Sequence, residues 1–346
     1  MKDVRWGIIG CGNVTELKSG PAFQLVSGSA LTAVMRRDGS AAEDYARRHG
    51  VKKWYDDAEQ LILDPEVDAV YIATPPGSHH HYGLRVCEAG KPAYIEKPMA
   101  RNHAECRELV DAFAARRVPL FVAYYRRRLP RFLKAGQLID SGELGALRSV
   151  RYRYEEPPAE FDRAQPPWRL IAEHSGGGLF FDLGSHVLDL LDYWLGPLAG
   201  VSGSCTNRGG RYDVEDAVSM SFESQSGVLG TASWNFAAER RTDCLEILGT
   251  KGQLTLAVFA NEPLRLCIGG QSQSFEIPHP KHVQQPLIQT IVDELLGGPE
   301  AKTVCPSTGV SAARTAAVMD QVVRDYYGTR ESGFWNQSGS WPRTHE

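Results

Sequence analysis

The sequence predicts an α/β protein in two parts. One is an N-terminal doubly wound parallel sheet, and the other a C-terminal α/β portion built on a large, mostly antiparallel open sheet. Three observations carry this. Strand and helix signals alternate over the first third of the chain, with glycine or proline closing several of the elements. After about Tyr125 the texture changes to β-rich runs separated by Gly, Ser and Asn turns. The chain of 346 residues is also longer than one ordinary domain, so roughly two are expected.

In order, Val4 to Ile9 is an apolar strand ending in Gly10-Cys11-Gly12, and Ala30 to Met35 is a second strand. Ala41 to His49 has helical composition and stops at Gly50, a common helix terminator. Val67 to Ala73 is a strand closed by Thr74-Pro75-Pro76-Gly77, and His79 to Ala89 is helix up to Gly90. Strand Ala93-Ile95, helix His103 to Arg116 and strand Leu120 to Ala123 complete the series. Alternation at this spacing implies right-handed crossovers and a parallel sheet. The second part offers strands at Leu147 to Tyr154, Gly200 to Cys205, Val218 to Phe222, Val228 to Phe236, Cys244 to Leu248, Gln253 to Phe259 and Leu264 to Ile268. Without helices between most of them, the sheet they form is largely antiparallel. Helical segments at about Gly178 to Leu195 and Gln284 to Leu296 cover one face, and a second subunit is expected on the other. The last helix is expected over Ser311 to Tyr327. The boundaries expected are 1–123 for a nucleotide-binding domain, 124–328 for a substrate-binding and oligomerisation domain, and 329–346 for a polar tail.

Composition excludes several classes. A net charge of -4 gives no reason to expect nucleic acid or an anionic membrane as partner. No apolar run approaches the ~18 residues of a membrane span, and the N-terminus lacks the pattern of a signal peptide. Seven scattered cysteines without a Cys-x-x-Cys read as reduced thiols in a cytoplasmic protein.

The chemistry begins at Gly10-Cys11-Gly12-Asn13-Val14-Thr15. Gly10 permits a tight turn after the first strand, and Gly12 lets backbone amides approach a pyrophosphate at a helix N-terminus. The third small position of this fingerprint is Thr15, which sets the helix slightly further from its strand. At the end of the second strand, where an acid would bind the ribose hydroxyls of NAD, stand Arg36 and Arg37. A guanidinium suits a 2′-phosphate, which favours NADP(H) over NAD(H). The alternative is a pair of solvated arginines with Asp38 in the acid's role. Glu96-Lys97-Pro98 places a lysine at a strand end facing the ligand crevice of such a sheet. Gly176-Gly177-Gly178 leads into a helix whose spacing puts Asp182, His186 and Asp189 on one face. An imidazole one turn from a carboxylate suits acid–base work near neutral pH. The triple glycine suggests close approach of the helix start to another group.

Gly10 to Asn13, Thr74-Pro75-Pro76 with His79, Glu96-Lys97-Pro98, Trp168-Arg169 and Gly176 to Asp189 together resemble the glucose-fructose oxidoreductase / inositol dehydrogenase (Gfo/Idh/MocA) family. The likeness runs in order to about Tyr327. It implies an N-terminal Rossmann domain, a C-terminal α/β domain whose open sheet makes homodimers or homotetramers, and sugar, polyol or related carbonyl/alcohol substrates. It implies that Lys97 bridges substrate and nicotinamide, that Asp182 and His186 bind the reacting hydroxyl, and that His186 exchanges its proton. Gly10, Gly12, Asn13, Val14, Arg36, Arg37, Thr74, Pro75, His79, Glu96 and Lys97 are the residues expected at the cofactor. Tyr124, Arg127 and Trp168 join Asp182 and His186 as expected substrate contacts. The Arg-bearing second strand is nearest the family's NADP(H)-linked reductases of 1,5-anhydro-fructose or dihydrodiols. A metal centre is not expected, because His79-His80-His81 point about 100° apart on a helix. A non-catalytic nucleotide-sensing regulator and an NAD-recycling glycoside hydrolase are the competing readings on the same fold.

Overall fold

The structure, a computed structural model, describes residues 2–328; the expected polar tail, 329–346, lies outside them. The chain divides into two compact units. One comprises the described residues up to Leu129 together with Pro280–Ala313, and the other Pro130–His279 with the described residues from Arg314 onward.

In the first unit, β1 (Val4–Ile9), β2 (Ser29–Met35), β3 (Lys53–Tyr55), β4 (Ala69–Ile72), β5 (Ala93–Ile95) and β6 (Leu120–Val122) form one sheet in the order β3-β2-β1-β4-β5-β6. Every pair is parallel. Central strands buried on both faces explain the unbroken apolar runs, such as Ala69–Ile72 with all four residues buried. The order reverses between β1 and β4, the place where doubly wound sheets open a ligand crevice at their C-terminal strand ends. Helix Gly39–His49 ends at Gly50 with φ 66°, a left-handed cap glycine adopts without strain.

Residues 280–313, within the segment expected for the substrate domain, pack in this first unit. Their tie is polar and buried: Gln284, with no exposed surface, bonds Tyr94 on β5 and Glu96 just beyond it.

The second unit holds eight strands: β7 (Leu147–Glu155), β8 (Leu198–Thr206), β9 (Ala217–Ser224), β10 (Leu229–Asn235), β11 (Thr242–Gly249), β12 (Gly252–Leu256), β13 (Leu264–Ile268) and β14 (Gln271–Phe275). Their order is β14-β13-β12-β11-β7-β10-β9-β8, with β7 and β10 parallel and the other pairs antiparallel. Val150, Tyr152, Tyr154, Met220, Phe222 and Trp234 are buried on one face, and Phe180 stacks edge-on against Trp234 at 4.9 Å. The opposite face exposes Arg151, Arg153, Ser219, Ser221 and Glu223. That composition is satisfied by water, so the sheet does not of itself require a second subunit to bury it. The strand expected to run to Phe259 ends at Leu256, because Asp243 draws the amides of Val258, Phe259 and Ala260 out of the ladder.

Candidate functional site

The nucleotide side is built at the C-terminal ends of the first sheet's strands. Gly10 has φ 89°, and a Cβ there would meet Thr74 Cγ2 at 2.7 Å, so glycine is required by both backbone and packing. Its amide and that of Cys11 donate to the Met35 carbonyl. Gly12 differs: a Cβ would find only the Gly10 carbonyl oxygen, at 3.9 Å. No internal contact excludes a side chain at Gly12, and the open space before the next helix (Asn13–Leu17) is what a pyrophosphate needs. Gly12 and Val14 are half-buried and Asn13 exposed, so this turn is accessible to a ligand. Thr15 is wholly buried with its hydroxyl on the Gly12 carbonyl at 2.8 Å, and the first helix is only Asn13–Leu17. Burial pushes the Cys11 thiol up to about 11, which removes it as a nucleophile.

At the end of β2, Arg36 and Arg37 are exposed and make no side-chain hydrogen bond or ion pair among the described residues. Asp38 is engaged: its carboxylate accepts from the Ser40 hydroxyl at 2.7 Å and the Ala41 amide at 3.1 Å, capping helix Gly39–His49. The Ser40 bond first, then the Ala41 amide, holds Asp38 below its ordinary range. The acid that could have served a ribose is thus the helix cap.

Thr74 is half-buried and Pro75 exposed after β4. His79, expected at the cofactor, is wholly buried, with Nδ1 2.9 Å from the Pro98 carbonyl and Nε2 2.7 Å from the Thr74 carbonyl. It ties two strand-end turns together rather than presenting a ring nitrogen to a ligand. Burial lowers its affinity for a proton. A neutral imidazole has one N–H and can donate to only one of these carbonyls at a time.

Glu96 is buried and fixed on several sides. Tyr71 Oη and Gln284 Nε2 donate to its Oε1, each at 2.5 Å, and the Lys97 amide reaches Oε2 at 3.2 Å. Tyr94 Oη donates to Gln284 Oε1 at 2.7 Å. Burial, with the Glu96 charge beside them, pushes both tyrosine hydroxyls well up, so they remain donors. Lys97 is half-buried at the end of β5, and its bond to Pro98 is cis. Beyond it, Arg101 and Glu105 form a buried ion pair, and Asn102 caps helix His103–Arg116 through the Glu105 amide at 2.9 Å. Gln284 carries no sequence motif and only its burial and partners reveal it, whereas Glu105 stands three residues past Asn102, a spacing that marks a helix start.

Tyr124 and Arg127 were expected at the substrate. Tyr124 is 1% exposed, and the Arg127 guanidinium, 3% exposed, donates to the Pro306 carbonyl at 2.7 Å. The Arg127 bond satisfies a carbonyl that would otherwise be left without a donor.

In the second unit, Asp182 lies in a π-helical turn, Phe180–Gly184, which runs into helix Ser185–Leu195 carrying His186. The expected regular i, i+4 face is therefore wound more loosely at its start, as π turns at functional sites often are. His186 and Asp189 are buried, and Asp182 is half-buried. Arg169 Nε donates to Asp182 Oδ2 at 2.9 Å, and its guanidinium lies over the half-buried Trp168 ring at 4.3 Å. The triple glycine answers to the protein itself. A Cβ on Gly177 would meet the Phe181 ring at 2.3 Å, and one on Gly178 the Glu215 carbonyl oxygen at 2.6 Å. Both Glu215 oxygens accept the Gly178 amide at 2.8 Å, and Tyr327 donates to the same carboxylate. Glu215, wholly buried, thereby fixes the entry to the Asp182–His186 segment.

Among the described residues, no His/Cys/Asp/Glu cluster could hold a metal, and no helix is long and apolar enough to cross a membrane. All seven cysteines are free.

A parallel sheet of order 3-2-1-4-5-6 with a glycine turn at its switch point, followed by a mostly antiparallel open sheet, defines a Rossmann-type NAD(P)-dependent oxidoreductase. Residues 4–124 match the oxidoreductase family with NAD-binding Rossmann fold, and residues 132–255 match the GFO/IDH/MocA C-terminal domain. The chain belongs to the GFO/IDH/MocA family. It is 38% identical over 321 residues to Oxidoreductase P35 of Formosa agariphila, covering 92% of this chain and 97% of that protein. It is 30% identical over 280 residues to trans-1,2-dihydrobenzene-1,2-diol dehydrogenase of Bos taurus, 80% of each. In fold it is similar to levoglucosan dehydrogenase solved with NADH, with a TM-score of 0.80 at 23% identity over 93% of this chain and 96% of that one.

Proposed function

We propose that this protein is an NADP(H)-linked reductase or dehydrogenase of a sugar or sugar-derived carbonyl/alcohol, similar in reaction to 1,5-anhydro-fructose reduction. The observation carrying the cofactor choice is the end of β2, where Arg36 and Arg37 are exposed and unpaired among the described residues while Asp38 caps a helix. The substrate class draws on the dihydrodiol dehydrogenase relative and the levoglucosan-dehydrogenase neighbour.

When bound, the cofactor supplies or takes the hydride. The glycine turn at Gly10 and Gly12, with Asn13 and Val14, holds its pyrophosphate, Arg36 and Arg37 grip the ribose phosphate, and Thr74 and Pro75 flank it. Lys97 and Asp182 act on one reacting oxygen, polarising and orienting it, and His186 gives or takes its proton. Glu96 fixes the backbone of Lys97, and Arg169 orients Asp182 while Trp168 offers a ring face to the substrate. In this reading the protein is cytoplasmic and assembles as a homodimer or homotetramer through the exposed face of the second sheet.

The test is consumption of NADPH and of NADH by the purified protein against a panel of keto-sugars, anhydro-sugars and dihydrodiols. Stoichiometric oxidation of NADPH, faster than of NADH, is expected. Turnover of a glycoside without net cofactor consumption, or no turnover of any carbonyl in the panel, overturns the proposal.

A further inference from the structure

His186 meets a second ring within its own unit. The Phe259 ring lies edge to face with it, centroids 6.1 Å apart and planes at 67°. Phe259 in turn meets Tyr154 at 5.4 Å and 74°, and Tyr154 meets Phe236 at 5.9 Å. Tyr154 is buried on β7 and its hydroxyl donates to Glu156 at 2.6 Å. A column of rings therefore runs from the sheet to the histidine.

Phe259 is on a loop, yet that loop is held by two opposite charges. Asp243 on β11 accepts the amides of Val258, Phe259 and Ala260 at 3.0, 2.5 and 2.8 Å, and the Tyr152 hydroxyl at 3.1 Å. Arg131, 1% exposed, donates to the carbonyls of Ala260 and Glu262 at 2.8 and 2.6 Å. Charge-assisted bonds of this kind are roughly twice as strong as neutral ones. Three successive amides on one carboxylate leave the Phe259 backbone little freedom, so its ring is aimed rather than merely packed. The terminal torsion of a histidine is broad and nearly two-fold, so a neighbour must select the ring plane.

We propose that Phe259, held by Asp243 and Arg131, is a positioning residue for His186, setting the imidazole plane along which the proton moves. The inference rests on the assignment of proton transfer to His186. Phe259 acts through the histidine, and Asp243 acts through Phe259.

The test uses the full-length protein as Phe259→Leu, Phe259→Tyr, Asp243→Asn and the double variant Phe259→Leu/Asp243→Asn. Kinetics are measured with NADPH and the best carbonyl substrate, in H2O and D2O, with active sites counted by NADPH fluorescence titration. Phe259→Leu is expected to lower kcat per titrated site on the order of tenfold, with both KM values unchanged. Its solvent isotope effect rises as proton transfer becomes limiting, which a loss of folded protein would not produce. Phe259→Tyr restores wild-type kcat. The double variant is no slower than Phe259→Leu, since one residue works through the other. Wild-type kcat and isotope effect in Phe259→Leu, or fully additive losses, overturn the proposal. Should Phe259→Leu bind no NADPH, Asp243→Asn decides alone: an unchanged isotope effect overturns, a raised one supports. His186→Asn separates the two levels. Retained activity there defeats the proton assignment itself, whereas an inactive His186→Asn beside an unaffected Phe259→Leu defeats only the positioning role.

Discussion

Replacing Gln284 with leucine probes the buried network behind Lys97. The side chain is wholly buried, accepts a hydrogen bond from the Tyr94 hydroxyl at 2.7 Å and donates to Glu96 Oε1 at 2.5 Å. Leucine fills a similar volume but leaves Tyr94 Oη without this acceptor and Glu96 with one donor fewer. A buried orphan hydroxyl costs about 1–3 kcal/mol, and a lost bond to a charged group about 1.5–3 kcal/mol. The expected destabilisation is about 3–5 kcal/mol, or about 10 °C in Tm for a unit of this size. Scanning calorimetry reads it directly. Adding Tyr94→Phe removes the orphan hydroxyl, and about 1–2 kcal/mol of the loss should return. A Gln284→Leu protein within about 1 kcal/mol of wild type would refute the reasoning, because it would mean that Glu96 and Tyr94 find other partners without cost.

Three other outcomes are expected. Arg36→Asp should shift the NADPH/NADH ratio of kcat/KM towards NADH by at least about tenfold, the loss of one charge-assisted pair; an unchanged ratio would mark Arg36 as a surface group. Lys97→Ala and His186→Ala should each abolish turnover while leaving NADPH binding, followed by fluorescence, largely intact; wild-type rates in either would sink the assignment of the reacting centre. Burial lowers the His79 pKa, so the unfolded chain binds that proton more readily than the fold does. Its contribution to stability is present above about pH 6.5 and lost as pH falls towards the lowered folded value. Urea midpoints should therefore drop less between about pH 7.5 and 5.5 in His79→Asn than in wild type, and equal drops would contradict it.

The first sheet was legible because its central strands are buried on both faces and several of its elements stop at glycine or proline. Two edge strands, β3 and β14, were not. β3 is three residues long, and β14, Gln271–Phe275, is four polar residues and a phenylalanine, so neither shows apolar alternation. The return of residues 280–313 to the first unit was invisible, since it depends on Gln284 meeting partners about 190 residues earlier in the chain. At the site, motif spacing singled out Gly12, Lys97, Asp182 and His186 as candidates. It also named His79, Tyr124 and Arg127, but not their surroundings: His79 and Arg127 meet backbone carbonyls and Tyr124 is buried. The close approach at the triple glycine was legible, but the groups approached, Phe181 and Glu215, were not, because glycine spacing does not say what fills the space.

The cap formed by Asp38 has a consequence for how this lineage can change. A carboxylate at a helix N-cap contributes about 1 kcal/mol, so recruiting Asp38 to a ribose would weaken helix Gly39–His49 at the same stroke. Arg36 and Arg37 carry no such obligation, having no side-chain hydrogen bond or ion pair among the described residues. On the proposed reading of the two arginines, mutation can explore nucleotide preference there without touching the cap, but not at the neighbouring acid. Drift in cofactor choice is thereby channelled to positions the architecture does not need.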